Sequence, residues 1–491
     1  MTIYWPRMRA LLYVPAAGLV QARIAQQASG NDQMFQLEVR PLHARIESNN
    51  YAEADELELT WSYDESPLDP RILRACEIYF YLGDTFGGRQ LDETDMRFVG
   101  IARDVTRNFS LEPGKRMKVK FHDYTCLFLE AKSYPSAGVP RLSDSIQKAW
   151  ETICDNTGYW DMQEGKVVST VQILKNKLVA WGNTDLSLTL GETMPERLRR
   201  LGRVELHGAT DAWAVWQRCI QPLGLISFIR GDRCVVTTAT DYFTADDPPR
   251  FVWGQNILEL EESRDQGTLS SKNLCLRSLD PLAKKTLESF YPPLSDPDIV
   301  KKKVGASAKK APESVHAQDY ECFDLPFTVA DQATLDRLAQ CAWEVRSRQE
   351  LRGKLTTVEM SIATAKLPTS QIFDMLSLQA GDQIQVEIDR NVLDLIQKQP
   401  SIGARAQALR AKGYSDDAAD FIAENLDSIT SQACQFLVHR VTTEIDASMA
   451  GDGVSYKTEI EFLNRIDLAG AALNQAQGTD QPPMQGQKTA E

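Results

Sequence analysis

A chain of 491 residues exceeds what one ordinary hydrophobic core organises, so two to four domains are expected. With 43% hydrophobic and 25% charged residues it has the composition of a globular protein. A formal charge of −14 argues against a general nucleic-acid binder, which needs a basic patch to displace counterions from phosphates.

In chain order, Arg7 and Arg9 precede an apolar run that Pro15 and Gly18 interrupt, with no clean small-residue cleavage site, so a secretory leader is disfavoured. No stretch reaches the ~20 uninterrupted apolar residues of a membrane span, and membrane insertion is not expected. Phe35, Leu37 and Val39 alternate with polar residues, as do Leu57, Leu59, Trp61 and Tyr63; CEIYFYLGD follows a proline-broken segment. Phe98 to Val105 and Met117 to Tyr124 flank a turn at Pro113-Gly114. These short strands predict a small antiparallel barrel or sandwich over 33–131.

The period changes after Ser133. Leu142, Ile146, Trp150 and Ile153 fall at helical spacing, with Ser143 or Asp144 to cap the start and Gly158 to end it. A second helix led by Thr210 carries Ala212, Val215, Trp216 and Cys219 on one face, and a hairpin with its turn at Gly231-Asp232 follows. Trp213 and Trp216 read as core anchors. Phe251 to Leu260 re-enters a β-region. Residues 280–316 hold lysines 284, 285, 301, 302, 303, 309 and 310 and read as a solvated loop. Asp331 to Glu350 is helical, strands resume at Val358 to Ile362 and Gln383 to Ile388, and a helical pair broken at Gly413 occupies 402–426, with Ser415 as a cap. Phe436 to Ile445 and Tyr456 to Leu463 are the closing strands; the tail from Ala471 is too poor in apolar residues to fold.

The strand pair in MRFVGIARDVTRNFSLEPGKRMKVKFHDYT, Met96 to Thr125, has an echo in QFLVHRVTTEIDASMAGDGVSYKTEIEFLN, Gln435 to Asn464. Each pair follows a strand, a proline-containing connection and another strand. A duplicated β-domain would let three chains around an axis present six similar units to a six-fold partner.

The order of elements and the stretches FVGIARDV, FVWGQNILELEESR, LQAGDQIQVEI and QFLVHRVTTEI resemble the baseplate hub proteins of phage tails, related to the late control D proteins of contractile phages and to the hub portion of type VI secretion spikes. The resemblance covers most of 33–465 and rests on short strands and turns. It implies an α+β, mainly β fold: two tube-like antiparallel β-barrel domains with inserted α/β modules. The implied division is an N-terminal arm (1–32), a first tube-like barrel (33–131) and a helical and helix-hairpin module (132–250). Strands joining the second barrel (251–279), a flexible lysine-containing loop (280–327), a second tube-like barrel with a helical insertion at 402–430 (328–466) and a disordered tail (467–491) complete it. The implied role is a homotrimeric, pseudo-hexameric adaptor between a tail tube protein and a central spike protein, with tape-measure and wedge proteins as further candidate partners. DNA would only pass through the lumen, which an acidic wall would suit. The implied location is the virion tail baseplate, assembled in the host cytoplasm. The helical insertions at 141–200 and 402–430 depart from smaller hubs.

No GxxxxGK[ST], GxSxG or HExxH pattern and no strand-linked GxGxxG is present, and GDTFGG at 83–88 lacks the lysine of a phosphate loop. The histidines at 43, 122, 207, 316 and 439 are dispersed and the nine cysteines form no CxxC pair, so no metal, disulfide framework or cofactor is expected. No catalytic residue is assigned. The alternatives are a tail-associated cell-wall hydrolase, for which two carboxylates would suffice, or a peripheral receptor-binding tail protein.

Overall fold

The computed structural model describes residues 6–15, 34–49, 53–69, 76–84, 90–109, 114–133, 140, 144–161, 166–169, 171–181, 210–220, 225–238, 248–252, 257–264, 273–280, 285–291, 320–325, 332–347, 351–357, 375–387, 395–412, 416–424, 434–447 and 455–464. The first part of the chain supplies β1 (Pro6–Pro15), β2 (Met34–Val39), β3 (Pro41–Asn49), β4 (Glu56–Ser62), β5 (Glu77–Asp84), β6 (Met96–Phe109) and β7 (Lys115–Asp123). Next come α1 (Thr125–Glu130), β8 (Lys132–Ser133), α2 (Ile146–Asn156), β9 (Gly158–Asp161), β10 (Lys166–Ser169), α3 (Gln172–Lys175) and β11 (Leu178–Ala180). β12 (Thr210–Asp211), α4 (Ala212–Ile220), β13 (Leu225–Arg230) and β14 (Arg233–Thr238) complete the inserted module. They are followed by β15 (Arg250–Val252), β16 (Ile257–Arg264), β17 (Asn273–Asp280), β18 (Lys285–Tyr291), β19 (Tyr320–Asp324), α5 (Gln332–Ser347) and β20 (Leu351–Thr357). β21 (Gln383–Glu387), α6 (Ile402–Ala411), α7 (Asp416–Glu424), β22 (Cys434–Asp446) and β23 (Ser455–Asn464) close the chain.

The fold is mainly β, and its centre is one 13-stranded sheet in the order β16-β20-β23-β22-β3-β4-β7-β6-β5-β1-β2, with β21 on β22 and β15 on β21. The two expected β-units are both in it, joined edge to edge where β22 pairs with β3. Among the described residues the ladder does not return to its first strand, so closure into separate barrels is not seen.

Alternation drives this architecture. In β4 and β7 the inward set Leu57, Leu59, Trp61, Met117, Val119 and Phe121 is fully buried while the intervening residues face out. Trp61 satisfies its indole by donating to Ser66 O at 3.0 Å. One apolar cluster runs from Leu12 and Phe80 in the first unit to Phe251, Ile384, Phe436 and Phe462 in the second, so the halves share a core. Gly114, at φ +95°, makes the β6–β7 turn that a residue with a Cβ adopts only under strain.

The strand from Pro6 lies between β2 and β5, where the sequence division placed an arm, because its apolar run Ala10, Leu12, Val14 alternates into the core. The helical module has its own core of Phe128, Trp150, Trp213 and Trp216, with Trp150 stacked 5.2 Å from Phe128. Ser145, the residue after Asp144, caps α2 by accepting from Lys148 N at 3.2 Å, and Ser143 lies outside the described residues. Asp211 caps α4 through Ala214 N at 2.6 Å, while Thr210 is drawn into the strand pair β12–β8. Gly158 begins β9 and Thr157 closes α2. A third cluster joins β17 and β18 to α5 through Leu274, Leu276, Leu335 and Trp343. Within the segment expected as a loop over 280–327, Lys285–Tyr291 and Tyr320–Asp324 are instead strands paired to β17; the other lysines of 280–316, the strand expected over Val358–Ile362, the cap at Ser415 and the tail from Ala471 lie outside the described residues.

Candidate functional site

The feature that stands out in the sheet is a repeat of register. In β6–β7, Val105 faces Val119 and Asp104 faces Lys120, a bulge at Arg103 follows, and Ala102 faces Phe121. In β22–β23, Val441 faces Ile460 and Arg440 faces Glu461, a bulge at His439 follows, and Val438 faces Phe462. The two hairpins share one pairing register through the bulge, which is an inserted feature that chance seldom reproduces.

The neighbours repeat too. β4 lies on β7 with Leu59 opposite Val119, and β20 lies on β23 with Leu355 opposite Ile460. β3 pairs with β4 through a shift between Pro41 and His43; β16 pairs with β20 through a shift between Ile257 and Glu259. On the far side, β5 sets Glu77 against Ile101, and β21 sets Gln383 against Leu437. Thus β3-β4-β7-β6-β5 and β16-β20-β23-β22-β21 are one unit built twice. The sequence echo matched the closing hairpins and the strand before each; the counterpart of β4 in the second unit is β20.

The seam between the units is antiparallel, from Arg440 opposite Asn49 to Asp446 opposite His43. Arg440 pairs across it with Glu47, which is 6% exposed, and Arg45 reaches Glu444 at 3.6 Å. Ile445 and Ala44 face each other and are fully buried. The equivalent edges elsewhere are open: among the described residues nothing pairs with the outer side of β16, nor with the 103–109 half of β6 opposite β7. Phe109, the counterpart of Ile445, is 52% exposed and rests on Tyr63 at 5.4 Å.

Beside the seam sits a carboxylate pair, Asp123 buried and Asp55 half-buried. Asp55 accepts from Asn49 N at 2.7 Å and from Ser48 Oγ at 3.2 Å, and Asp123 accepts from Thr125 N at 3.1 Å and Thr125 Oγ1 at 2.8 Å. Ser48 Oγ also accepts from Ala380 N of the second unit at 3.2 Å. Burial pushes the Asp55 carboxyl up to about 7. Burial, then the charge of Asp55, holds Asp123 well above the usual carboxylate range. The inserted module and the first unit grip the same part of the second: Arg230 donates to Asp382 at 2.9 Å and Arg97 to Leu376 O at 3.0 Å.

Of the histidines, His43 lies in β3, His122 stands 3.5 Å from Glu56 across β4–β7, and His439 occupies the β22 bulge; His207 and His316 lie outside the described residues. Among the described residues no group of His, Cys, Asp and Glu could hold a metal, and no helix is long and apolar enough to cross a membrane. Gly83 and Asp84 end β5, and the rest of GDTFGG lies outside the described residues. Trp213 and Trp216 are core residues, 4% and 0% exposed. Sequence reasoning missed the edges left open among the described residues and the carboxylate pair Asp55–Asp123. The open half of β6 carried a signal in Phe109 at an inward-phase position near a strand end; the carboxylates carried none.

No protein-family model matches the sequence, and no curated protein matches it. Among solved structures the chain is similar to a tail protein of Neisseria meningitidis, at 12% identity and a TM-score of 0.48 over 93% of this chain and 96% of that one. It is also similar to the 43 kDa tail protein of prophage MuSo2 from Shewanella oneidensis, at 10% identity and 0.47 over 94% and 99%. A third is a chain of the Francisella PdpA-VgrG complex, at 9% identity and 0.37 over 93% of this chain and 58% of that one.

Proposed function

We propose that this chain is a structural baseplate hub of a phage-type tail, a homotrimer whose six β-units form a ring between a hexameric tail tube and a three-fold spike. The observation that carries this reading is the twice-built unit with its two open edges. A sheet edge offers unpaired backbone N–H and C=O groups and is a template for another strand. Within the chain, β3 of one unit covers the distal half of β22 of the other. The same contact repeated between copies sets β16 of one chain on the distal half of β6 of the next, with Leu260 opposite Phe109 and Glu262 opposite Arg107. That contact is heterologous, and such contacts close into rings when the rotation per unit divides a full turn. Units related by about 60° close with three chains. The helical modules, present once per chain, reduce the symmetry to three-fold for the spike.

The proposed work is mechanical, with no chemical step: the ring matches symmetries and leaves a central passage for DNA. The chain's acidic balance suits such a passage, since like charges give phosphates no counterion-releasing contact.

Mass measurement tests the assembly. The wild-type chain is expected as a trimer, alone or on addition of tube protein. Phe109→Asp places a charge in the seam and is expected to give folded monomers; Arg107→Glu is expected to weaken assembly and Glu262→Arg in the same chain to restore it. A wild type that stays monomeric with tube protein, or a Phe109→Asp variant that assembles unchanged, overturns the reading.

A further inference from the structure

The small sheet under α5 carries two thiols that the ring does not use. Cys275 in β17 and Cys322 in β19 are direct partners in a parallel ladder. Cys275 is 1% exposed, whereas Cys322 is exposed to solvent. Neighbouring strands lie about 4.8 Å apart, inside the span of about 4.4–6.8 Å between Cα atoms that a disulfide bridges. Arg277 and Asp324, two positions further along the same strands, hold this register with an ion pair of 3.3 Å. The other cysteines whose burial is described, Cys76, Cys126, Cys154, Cys219 and Cys234, are all buried.

We propose that Cys275 and Cys322 are a redox clasp, closed by a low-molecular-weight disulfide such as oxidised glutathione, that fastens β19 to β17. The exposed Cys322 thiolate attacks one sulfur of the small disulfide, breaking its S–S bond. One small thiolate leaves and takes up a proton, and a mixed disulfide stands on Cys322. The Cys275 thiol then gives its proton to solvent and its sulfur attacks Cys322 Sγ, and the second small thiol leaves. Two protein thiols are oxidised and one small disulfide is reduced to two thiols. Burial, then the contact with Cys322 and the charge of Glu288 on β18, pushes the Cys275 thiol up to about 12, against the pull of Arg277. From α5, Asp336 meets the adjoining Ser289 of β18. Closure therefore needs the Cys275 thiolate, and its rate rises about tenfold per pH unit below that value, following the thiolate fraction.

The test incubates the full chain with oxidised glutathione at pH 7 and pH 9, quenches with acid, digests without reduction and maps peptides by mass. One linked pair, Cys275 to Cys322, is expected, with its mixed-disulfide precursor on Cys322 closing about a hundredfold faster at pH 9. Cys322→Ser, on the surface and compatible with the fold, is expected to leave Cys275 unmodified. The proposal fails if Cys322 stays unmodified, if the mixed disulfide persists at pH 9 with Cys275 free, or if Cys322 links to another cysteine or another chain.

Discussion

Asp123→Asn is the most informative single substitution beside the seam, because the carboxylates of Asp55 and Asp123 are held by the fold above their ordinary range. The direction follows from linkage. A group with a higher pKa folded than unfolded contributes stability that is complete below the unfolded value and is lost as pH rises through the folded one. For Asp55 the window runs from 3.8 to about 7. The full gap corresponds to about 4 kcal/mol at ~1.4 kcal/mol per pH unit; partial solvent access and the shared field of the pair reduce this to about 2 kcal/mol. Asparagine at 123 keeps the shape, is neutral at every pH and removes the like charge facing Asp55. The loss of the Thr125 Oγ1 bond to the carboxylate, 2.8 Å in the wild type, costs on the order of 1 kcal/mol. Urea unfolding at pH 4 and pH 8 is the assay. The wild type is expected to weaken between the two, and the variant to be slightly weaker at pH 4 and about 1–2 kcal/mol stronger at pH 8. Equal destabilisation at both pH values would refute the argument, since it would leave the carboxyl pair with no titration to relieve.

Three further perturbations test other contacts. Arg440→Met removes the partner of the buried Glu47 across the seam and is expected to cost about 1–3 kcal/mol in urea unfolding, with Arg45, 3.0 Å from Glu47, limiting the loss. Gly353→Val places side-chain atoms where the Phe462 ring lies against the β20 backbone; a loss of about 2 kcal/mol or more is expected in thermal unfolding, and an unchanged midpoint would mean the ring moves freely aside. Trp150→Ala empties the centre of the helical module and strands Leu174 O, which accepts the indole at 2.9 Å; about 3–5 kcal/mol should be lost, read as early protease cleavage within the module while the large sheet stays protected.

Much of the β-architecture was legible because alternation at period two is a local signal. Leu57, Leu59 and Trp61 declare a half-buried strand whatever their partners are, and the hairpin Leu225–Thr238 is declared by Gly231-Asp232 between two apolar runs. The helices around Trp150 and Trp216 followed from their spacing. Caps were misplaced by one or two residues at Ser145 and by one at Asp211, since several neighbouring side chains could serve and only backbone direction selects among them. β1 was missed as a strand because an apolar run after two arginines has the composition of a leader as much as of a buried strand.

The sequence by itself determined the mainly β class, the two hairpins and the absence of a familiar catalytic pattern, since each depends on residues near one another in the chain. Tertiary structure decided that the two units share one sheet and one core, that β20 is the counterpart of β4, and that Asp55 meets Asp123. It also decided which edges stay open. Those facts depend on pairings across hundreds of residues, such as Arg440 with Asn49. No local preference encodes them: any strand edge can accept another, and only the ladder of the described residues leaves β16 and the end of β6 without one.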